Sequence, residues 1–269
     1  IDGLYLSPSA HREAMDKMAG LVATMVNAYK NEGNEDERDF NRARDELFSM
    51  IEQGYPIIQD LPEEDENILI SALIQTALKE QDENEVRTKY AIKTLGKLSD
   101  PFAVSYIIRL MEKPAYTLEC IEALGEIGNN EAEDVLMELL EDAEKEETRV
   151  ALFKALGRIG GEESLSALTS LIEEVGMEGG PSEGEEAAII QALSRLAQNG
   201  NRDRKINKIL TEYLDDKDGE LRVLAAKGLA AYPSSTNLNL LLSSLRNEKE
   251  EAVKIELVKA LNISGNSQI

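Results

Sequence analysis

The stretch Glu147–Thr148–Arg149–Val150–Ala151–Leu152–Phe153–Lys154–Ala155–Leu156–Gly157–Arg158–Ile159–Gly160 carries the pattern that decides the fold. A polar lead-in ends in Arg149, an apolar face follows, and Ala155–Leu156–Gly157 closes it before a glycine turn. The same anchor stands at Thr94–Leu95–Gly96 and Ala123–Leu124–Gly125. Looser copies stand at Ala192–Leu193–Ser194, Gly228–Leu229–Ala230 and Ala260–Leu261–Asn262. The central leucines are 29, 32, 37, 36 and 32 residues apart, the spacing of a repeat array rather than of one globular core. Lead-ins recur as Glu85–Val86–Arg87 and Glu220–Leu221–Arg222. After each anchor comes a Gly- or Asn-containing turn, then a second apolar segment ending in an acidic turn.

Both segments of a unit read as helices. Val86, Ala91, Ile92, Leu95 and Leu98 recur at spacings of three and four, as do Ala132, Val135, Leu136, Leu139 and Leu140. Gly125, Gly128, Gly157 and Gly160 fall where first helices end, so left-handed helix ends are expected there. No alternating run of β-branched residues suggests a strand.

The pattern polar–Val/Leu–Arg, Ala-x-x-x-Leu-Gly, turn, Leu-x-x-Leu-Leu resembles the HEAT-repeat family, particularly the short bacterial repeats named after phycobilisome lyases. It is clearest at Glu85–Met111, Thr117–Leu140 and Thr148–Ile172, and looser at Glu185–Leu214 and Leu221–Leu245. The expected fold is all-α: a right-handed α-solenoid of stacked helix-turn-helix repeats over residues 61–269, with an atypical N-terminal helical cap over residues 1–60. In the cap, Met15, Met18, Leu21, Val22, Met25, Val26 and Tyr29 share one face of a helix from His11 to Lys30. Asn31 to Asp39 reads as an acidic linker, Phe40 to Gln53 as a second helix, and Pro62 as the opening of a third. Terminal units of a stack must cover its edge, so the Met-rich face is expected to pack. At the other end, Leu261 is followed by eight residues, too few for a second helix.

Composition narrows the function. Lys plus Arg is 29 against 52 Asp plus Glu, a formal charge of −23 that repels nucleic acid and anionic membranes as main partners. There is one Cys and one His, and no Trp. Cys120 sits beside an apolar face and reads as a packed thiol. His11, as the only imidazole, leaves little for nucleophilic catalysis. HEAT-like deoxyhypusine hydroxylases hold metals with several His–Glu pairs that this chain cannot supply, and HEAT-like DNA glycosylases need a basic, aromatic-bearing groove. No enzyme activity, metal or cofactor is expected. No segment has the length and apolarity of a membrane span. The opening Ile1–Asp2–Gly3 suits a processed chain or a fragment, which leaves localisation open between the cytoplasm and export with a removed signal peptide.

Four features invite functional readings. Arg87, Arg149 and Arg222, with Lys254, form a basic series best read as pairing between repeats with turn acids such as Asp100 and Asp142. Asp215 to Glu220 superficially resembles a calcium loop, but Leu214 and Ala225 would take positions that need carboxylates, so it is an acidic turn. Gly176 to Gly184 is glycine-rich yet lacks the Lys–Ser/Thr pair of a phosphate loop. Arg202, Arg204, Lys205 and Lys208 form a basic patch in an acidic chain, suited to an acidic peptide or tail. Family resemblance puts the second helices on the concave surface. There Ile108, Arg109, Met137, Glu138, Glu141, Thr169, Thr211 and Leu242 form the candidate groove, with Ile108, Met137 and Leu242 as an apolar stripe. The resulting expectation is a non-catalytic scaffold or adaptor for a protein or peptide. The alternatives are an accessory subunit of a lyase-like modification enzyme and an architectural module of a larger protein.

Overall fold

A computed structural model describes residues 8–31, 34–52, 63–80, 85–232 and 234–266. The described residues form fourteen α-helices, with no strand among them. They divide into two compact units, residues 1–123 and 124–269.

Unit 1 begins with α1 (Pro8–Asn31), α2 (Asn34–Glu52) and α3 (Glu63–Glu80), followed by α4 (Glu85–Leu98), α5 (Val104–Leu110) and the start of α6 (Thr117–Ile127). α1 packs on α2 and α3, burying Met18, Val22 and Met25 beneath 2 % exposure. These three residues of the Met-rich face are therefore interior, while Met15 and Leu21 are half-buried. Asn34 to Asp39 is helical rather than a linker. The Glu, Asp and Arg residues after Gly33 are adequate helix formers and nothing breaks the run. Pro62 lies outside the described residues. Cys120 is fully buried, and burial followed by the charge of Glu119 raises its thiol far above the ordinary cysteine value.

Unit 2 continues through α7 (Glu133–Asp142), α8 (Glu146–Ile159), α9 (Glu162–Glu173), α10 (Glu183–Gln198), α11 (Arg204–Tyr213), α12 (Gly219–Leu229), α13 (Ser235–Asn247) and α14 (Glu251–Asn266). First helices pack on first helices in order, α8 on α10, α10 on α12, α12 on α14, with a second helix following each of α8, α10 and α12. This is the helix-pair stacking of an α-solenoid. Leu156, Leu193 and Leu229, the central anchors, are fully buried.

The glycines divide into two jobs. Gly128 and Gly160 have φ of 68° and 80° and end α6 and α8 in the left-handed conformation; Ser99, at the same place after α4, adopts φ 56°. Gly125 and Gly157 do not end their helices. They sit inside them where the next first helix comes closest. A methyl group on Gly157 would lie 2.5 Å from both Cα and Cβ of Ala192, and one on Gly125 would lie 2.7 Å from Cα of Ala155. At the next interface the roles reverse. Ser194 stands where Gly157 stood, and the facing residue is Gly228, whose own methyl would meet Leu210 at 2.5 Å and Ser194 Cα at 2.9 Å. One side carries a side chain only where the other lacks one.

Gly157→Ala should destabilise the chain by about 1–3 kcal/mol, because added atoms in a filled contact force the helices apart. Adding Ala192→Gly should recover most of that loss. Denaturant midpoints of the two singles and the double would expose an independent effect, since strictly additive losses would mean the two positions do not share one contact.

Candidate functional site

On the second helices the candidate groove splits in two. Ile108, Met137, Thr211 and Leu242 each follow a buried residue directly, namely Ile107, Leu136, Leu210 and Leu241. Successive helical positions are about 100° apart, so a residue next to a buried one lies on the flank of the helix rather than its outer face. These four are half-buried. Thr169, at the same register after Leu168, is buried, and its hydroxyl donates to the Leu165 carbonyl at 2.9 Å. The open face lies one step further on, at Arg109, Glu138, Ser170, Glu212 and Ser243, together with Glu141. It is polar. Among the described residues no stripe of exposed apolar groups runs along the second helices.

In unit 2 that face changes sign along the stack. α7 and α9 contain no Lys or Arg, while α11 carries Arg204, Lys205 and Lys208 against one acid. Arg204, Asn207, Lys208 and Thr211 recur at helical spacing, so two residues of the basic patch and one groove position share a flank of α11. Arg204 and Lys205 are exposed and make no side-chain ion pair or hydrogen bond among the described residues. Lys208 is 3.8 Å from Glu212, an exposed pair of little energetic weight.

Arg202 is different. Its guanidinium donates to the carbonyls of Ala197 at 2.8 Å and Asn201 at 3.1 Å, closing the turn between α10 and α11. It also stacks over the Tyr232 ring, 5.3 Å from the centroid. The Tyr232 hydroxyl donates to the Asp203 carbonyl. Burial raises its pKa to about 12 despite the opposing charge of Arg202.

Around this stack opens a pocket of about 590 Å³, lined by Arg202, Arg204, Asn207, Tyr232, Ser234 and Asn237. It lies where α11 and α13 begin. Ser234 caps α13 by accepting from the Asn237 backbone N–H at 3.0 Å. Asn237 is only 4 % exposed, and its amide nitrogen donates to the Tyr232 carbonyl at 3.3 Å. Its side-chain oxygen is left as an acceptor. The wall thus offers two cations and one amide acceptor. Arg202 and Arg204 announced themselves in sequence as charges, whereas Tyr232 and Asn237 belong to the following repeat and join them only through stacking.

The Arg series ties repeats together. Arg149 donates to Glu185 at the start of α10 and lies 5.4 Å over the Phe153 ring. Glu185 also closes a capping box with Ser182, so the glycine-rich segment ends in a helix start fixed to the previous repeat. Arg222 donates to Glu248 at 2.7 and 3.0 Å, to Glu250 at 2.8 Å, and to the carbonyls of Asp216 and Lys217. In unit 1, Arg87 is 3.3 Å from Asp45 on α2. Glu185 stands at the start of the next first helix and Asp45 on α2, whereas Glu248 and Glu250 are acids of the turn between α13 and α14; Asp100 and Asp142 are not the partners. Asp100 instead caps the turn before α5 through the Phe102 N–H, and Asp218 caps α12. Among the described residues no group of three or more His, Cys, Asp or Glu is placed to hold a metal, and no helix is long and apolar enough to cross a membrane.

The family model describing HEAT repeats matches residues 112–175, so the chain carries HEAT repeats across that stretch. No curated protein matches significantly. The CpcE–CpcF phycocyanin lyase complex of Nostoc sp. PCC7120 is similar at 17 % identity and TM-score 0.47, over 97 % of this chain and 96 % of that one. An engineered protein is similar at 17 % identity and TM-score 0.46, over 72 % and 96 %. A designed armadillo repeat protein is similar at 18 % identity and TM-score 0.44, over 71 % and 99 %. At these levels neither activity nor partner carries across.

Arg222 holds the Glu248 carboxyl down at about 2, below the ordinary 4.5, with the N–H groups of Glu250 and Lys249 assisting. A carboxyl depressed in the folded state contributes stability that is complete above about 4.5 and fades as pH falls towards 2. Arg222→Met should therefore lower stability at neutral pH, and its deficit relative to wild type should shrink through that window. A deficit independent of pH, in urea titrations across it, would show that Arg222 acts by packing alone.

Proposed function

We infer that the chain is a non-catalytic helical-repeat scaffold whose partner is a protein or peptide held against the second helices of unit 2, with an acidic segment of that partner seated at the α11–α13 pocket. The pocket carries this reading. In a chain of net charge −23, two adjacent cations that make no ion pair among the described residues, Arg204 and Lys205, stand together on α11, and Arg204 lines the pocket beside Arg202. The fixed Arg202–Tyr232 stack supplies a rigid wall, so the site loses little freedom on binding.

Chemistry narrows the ligand. Guanidinium groups favour a planar carboxylate, and the Asn237 oxygen accepts from an N–H. An acidic residue within a peptide offers both groups a short distance apart. A bare anion offers only the first. Glu138 and Glu141 on α7 meet the opposite requirement and favour a basic stretch elsewhere on the partner, which gives the docking face polarity and sets the direction in which a peptide lies. The half-buried Met137, Thr211 and Leu242 line the edges of these helices and add limited apolar contact.

A labelled Glu-rich peptide should bind the protein in fluorescence anisotropy and weaken steeply with salt, while its Gln-rich counterpart should not bind. Arg204→Glu with Lys208→Glu should weaken the Glu-rich peptide about tenfold or more, equivalent to about 1.4 kcal/mol. Equal binding of the two peptides, or an unaffected double variant with unchanged circular dichroism, would refute the pocket as an acidic-peptide site.

A further inference from the structure

Charge on the open side of the second helices of unit 2 changes sign on one row only. Leu136, Leu168, Leu210 and Leu241 hold the same buried register on α7, α9, α11 and α13. Residues two and five before each leucine, or two and five after it, fall on the opposite side of the helix. After the leucine the acids persist from α7 to α11, as Glu138 and Glu141, then Glu173, then Glu212 and Asp215. Before it the row is acidic at Glu131, Asp134 and Glu163 but basic at Lys205 and Lys208. All of these side chains are exposed. Glu131, Asp134 and Glu163 make no side-chain ion pair or hydrogen bond among the described residues.

The reversal lies beside the pocket. Arg204, in its wall, directly precedes Lys205. Asn237, also in the wall, is 4 % exposed, with its amide nitrogen bonded and its oxygen left open to a ligand. A carboxylate seated at Arg204 leaves the rest of its chain two ways to cross the stack. Along the later row it meets Glu212 and Asp215 at once, acids that repel it. Along the earlier row it passes Lys205 and Lys208, then Glu163, then Asp134 and Glu131. On α9 the two rows are distinct: Glu163 and Glu173 are about 15 Å apart along the helix, beyond the screening length at physiological salt. Second helices stack about 10 Å apart, so α9 and α7 lie about 10 and 20 Å from α11. At about 3.3 Å per extended residue those spans are about three and six residues.

We propose that the partner carries a bipolar segment: an acidic residue for the α11–α13 pocket, with basic residues about three and six positions away. The nearer one faces Glu163 and the farther one Asp134 and Glu131. This assignment rests on the pocket being an acidic-peptide site, and it adds the spacing of the partner's charges and the row they follow. Exposed pairs contribute little each, so the basic residues set specificity and direction while the pocket holds the ligand.

Labelled peptides with a Glu-rich anchor and an otherwise neutral Gly/Ser chain can be compared by fluorescence anisotropy at near-physiological salt. Lysines about three and six residues from the anchor should tighten binding about threefold or more over the anchor alone, in one of the two sequence orders. The same lysines directly beside the anchor should give no gain, because they face Lys205 and Lys208. Asp134→Lys with Glu163→Lys should abolish the gain. Glu173→Lys with Glu174→Lys, the same charge change on the exposed far end of α9, should leave it within about twofold. A spaced peptide that binds no better than the anchor would overturn the bipolar segment and leave the pocket reading standing. So would a gain that the Glu173 and Glu174 variant removes equally. Failure of every peptide, anchor included, would remove both.

Discussion

The first helices of unit 2 approach one another until backbone meets backbone, and the rest of that unit is arranged around this contact. At Gly157 and Ala192 no room remains for a methyl group, so the axes are brought close without large side chains between them. Close approach lets leucines such as Leu156 and Leu193 fill the space toward the second helices and be fully buried. With aromatic residues at 4 % and no tryptophan, the core has few large side chains with which to bridge wider gaps. Small residues at the contact and medium ones beside it are the packing solution open to such a composition.

Stacking also determines where charge can sit. The arginines one turn before the core residues reach forward to acids at the seam with the following repeat, Glu185 in the first turn of α10 and Glu248 in the turn after α13, and both are largely buried. These pairs use up basic groups within the first helices. Other cations, such as Lys154, Arg158 and Arg195 on first helices, make no such pair, and α11 is the second helix of unit 2 on which basic residues outnumber acids most clearly. What distinguishes Arg204 from those surface cations is its place in the pocket wall with Arg202, Tyr232 and Asn237.

Much of this was legible in sequence because repeated units corroborate one another. Leu124, Leu156 and Leu193 fix the register of their helices, and the apolar spacings around them leave little alternative to an all-α stack. What escaped the sequence was the identity of long-range partners. Gly125 and Gly157 look like turn residues when only their own repeat is considered; their role depends on Ala155 and Ala192, some thirty residues later. The acid opposite Arg149 belongs to the next helix start, while those opposite Arg222 are turn acids, Glu248 and Glu250, other than the Asp100 and Asp142 that the sequence suggested. The apolar stripe failed for a geometric reason: Met137 adjoins Leu136, and a neighbour of a buried residue lies on the helix flank. Asn237 gave no sequence signal at all, since a single asparagine acquires meaning only from the pocket it walls.

The exchange of Ser194 for glycine on one side of an interface, matched by Gly228 on the other, bears on how far these repeats are modules. At the Gly125, Gly157 and Gly228 junctions one of the two facing residues is glycine and the side that carries it changes at Ser194, whereas at the last junction alanine, Ala230 and Ala260, takes both positions. A repeat ending in the Ser194 arrangement joined to one beginning with the Ala192 arrangement would collide, and the converse junction, Gly157 facing Gly228, would leave a gap. Neighbours are therefore keyed to each other in pairs. An array rebuilt by shuffling or duplicating units would inherit helices that fold and seams that do not fit, so the order of the repeats is itself written into the backbone contacts.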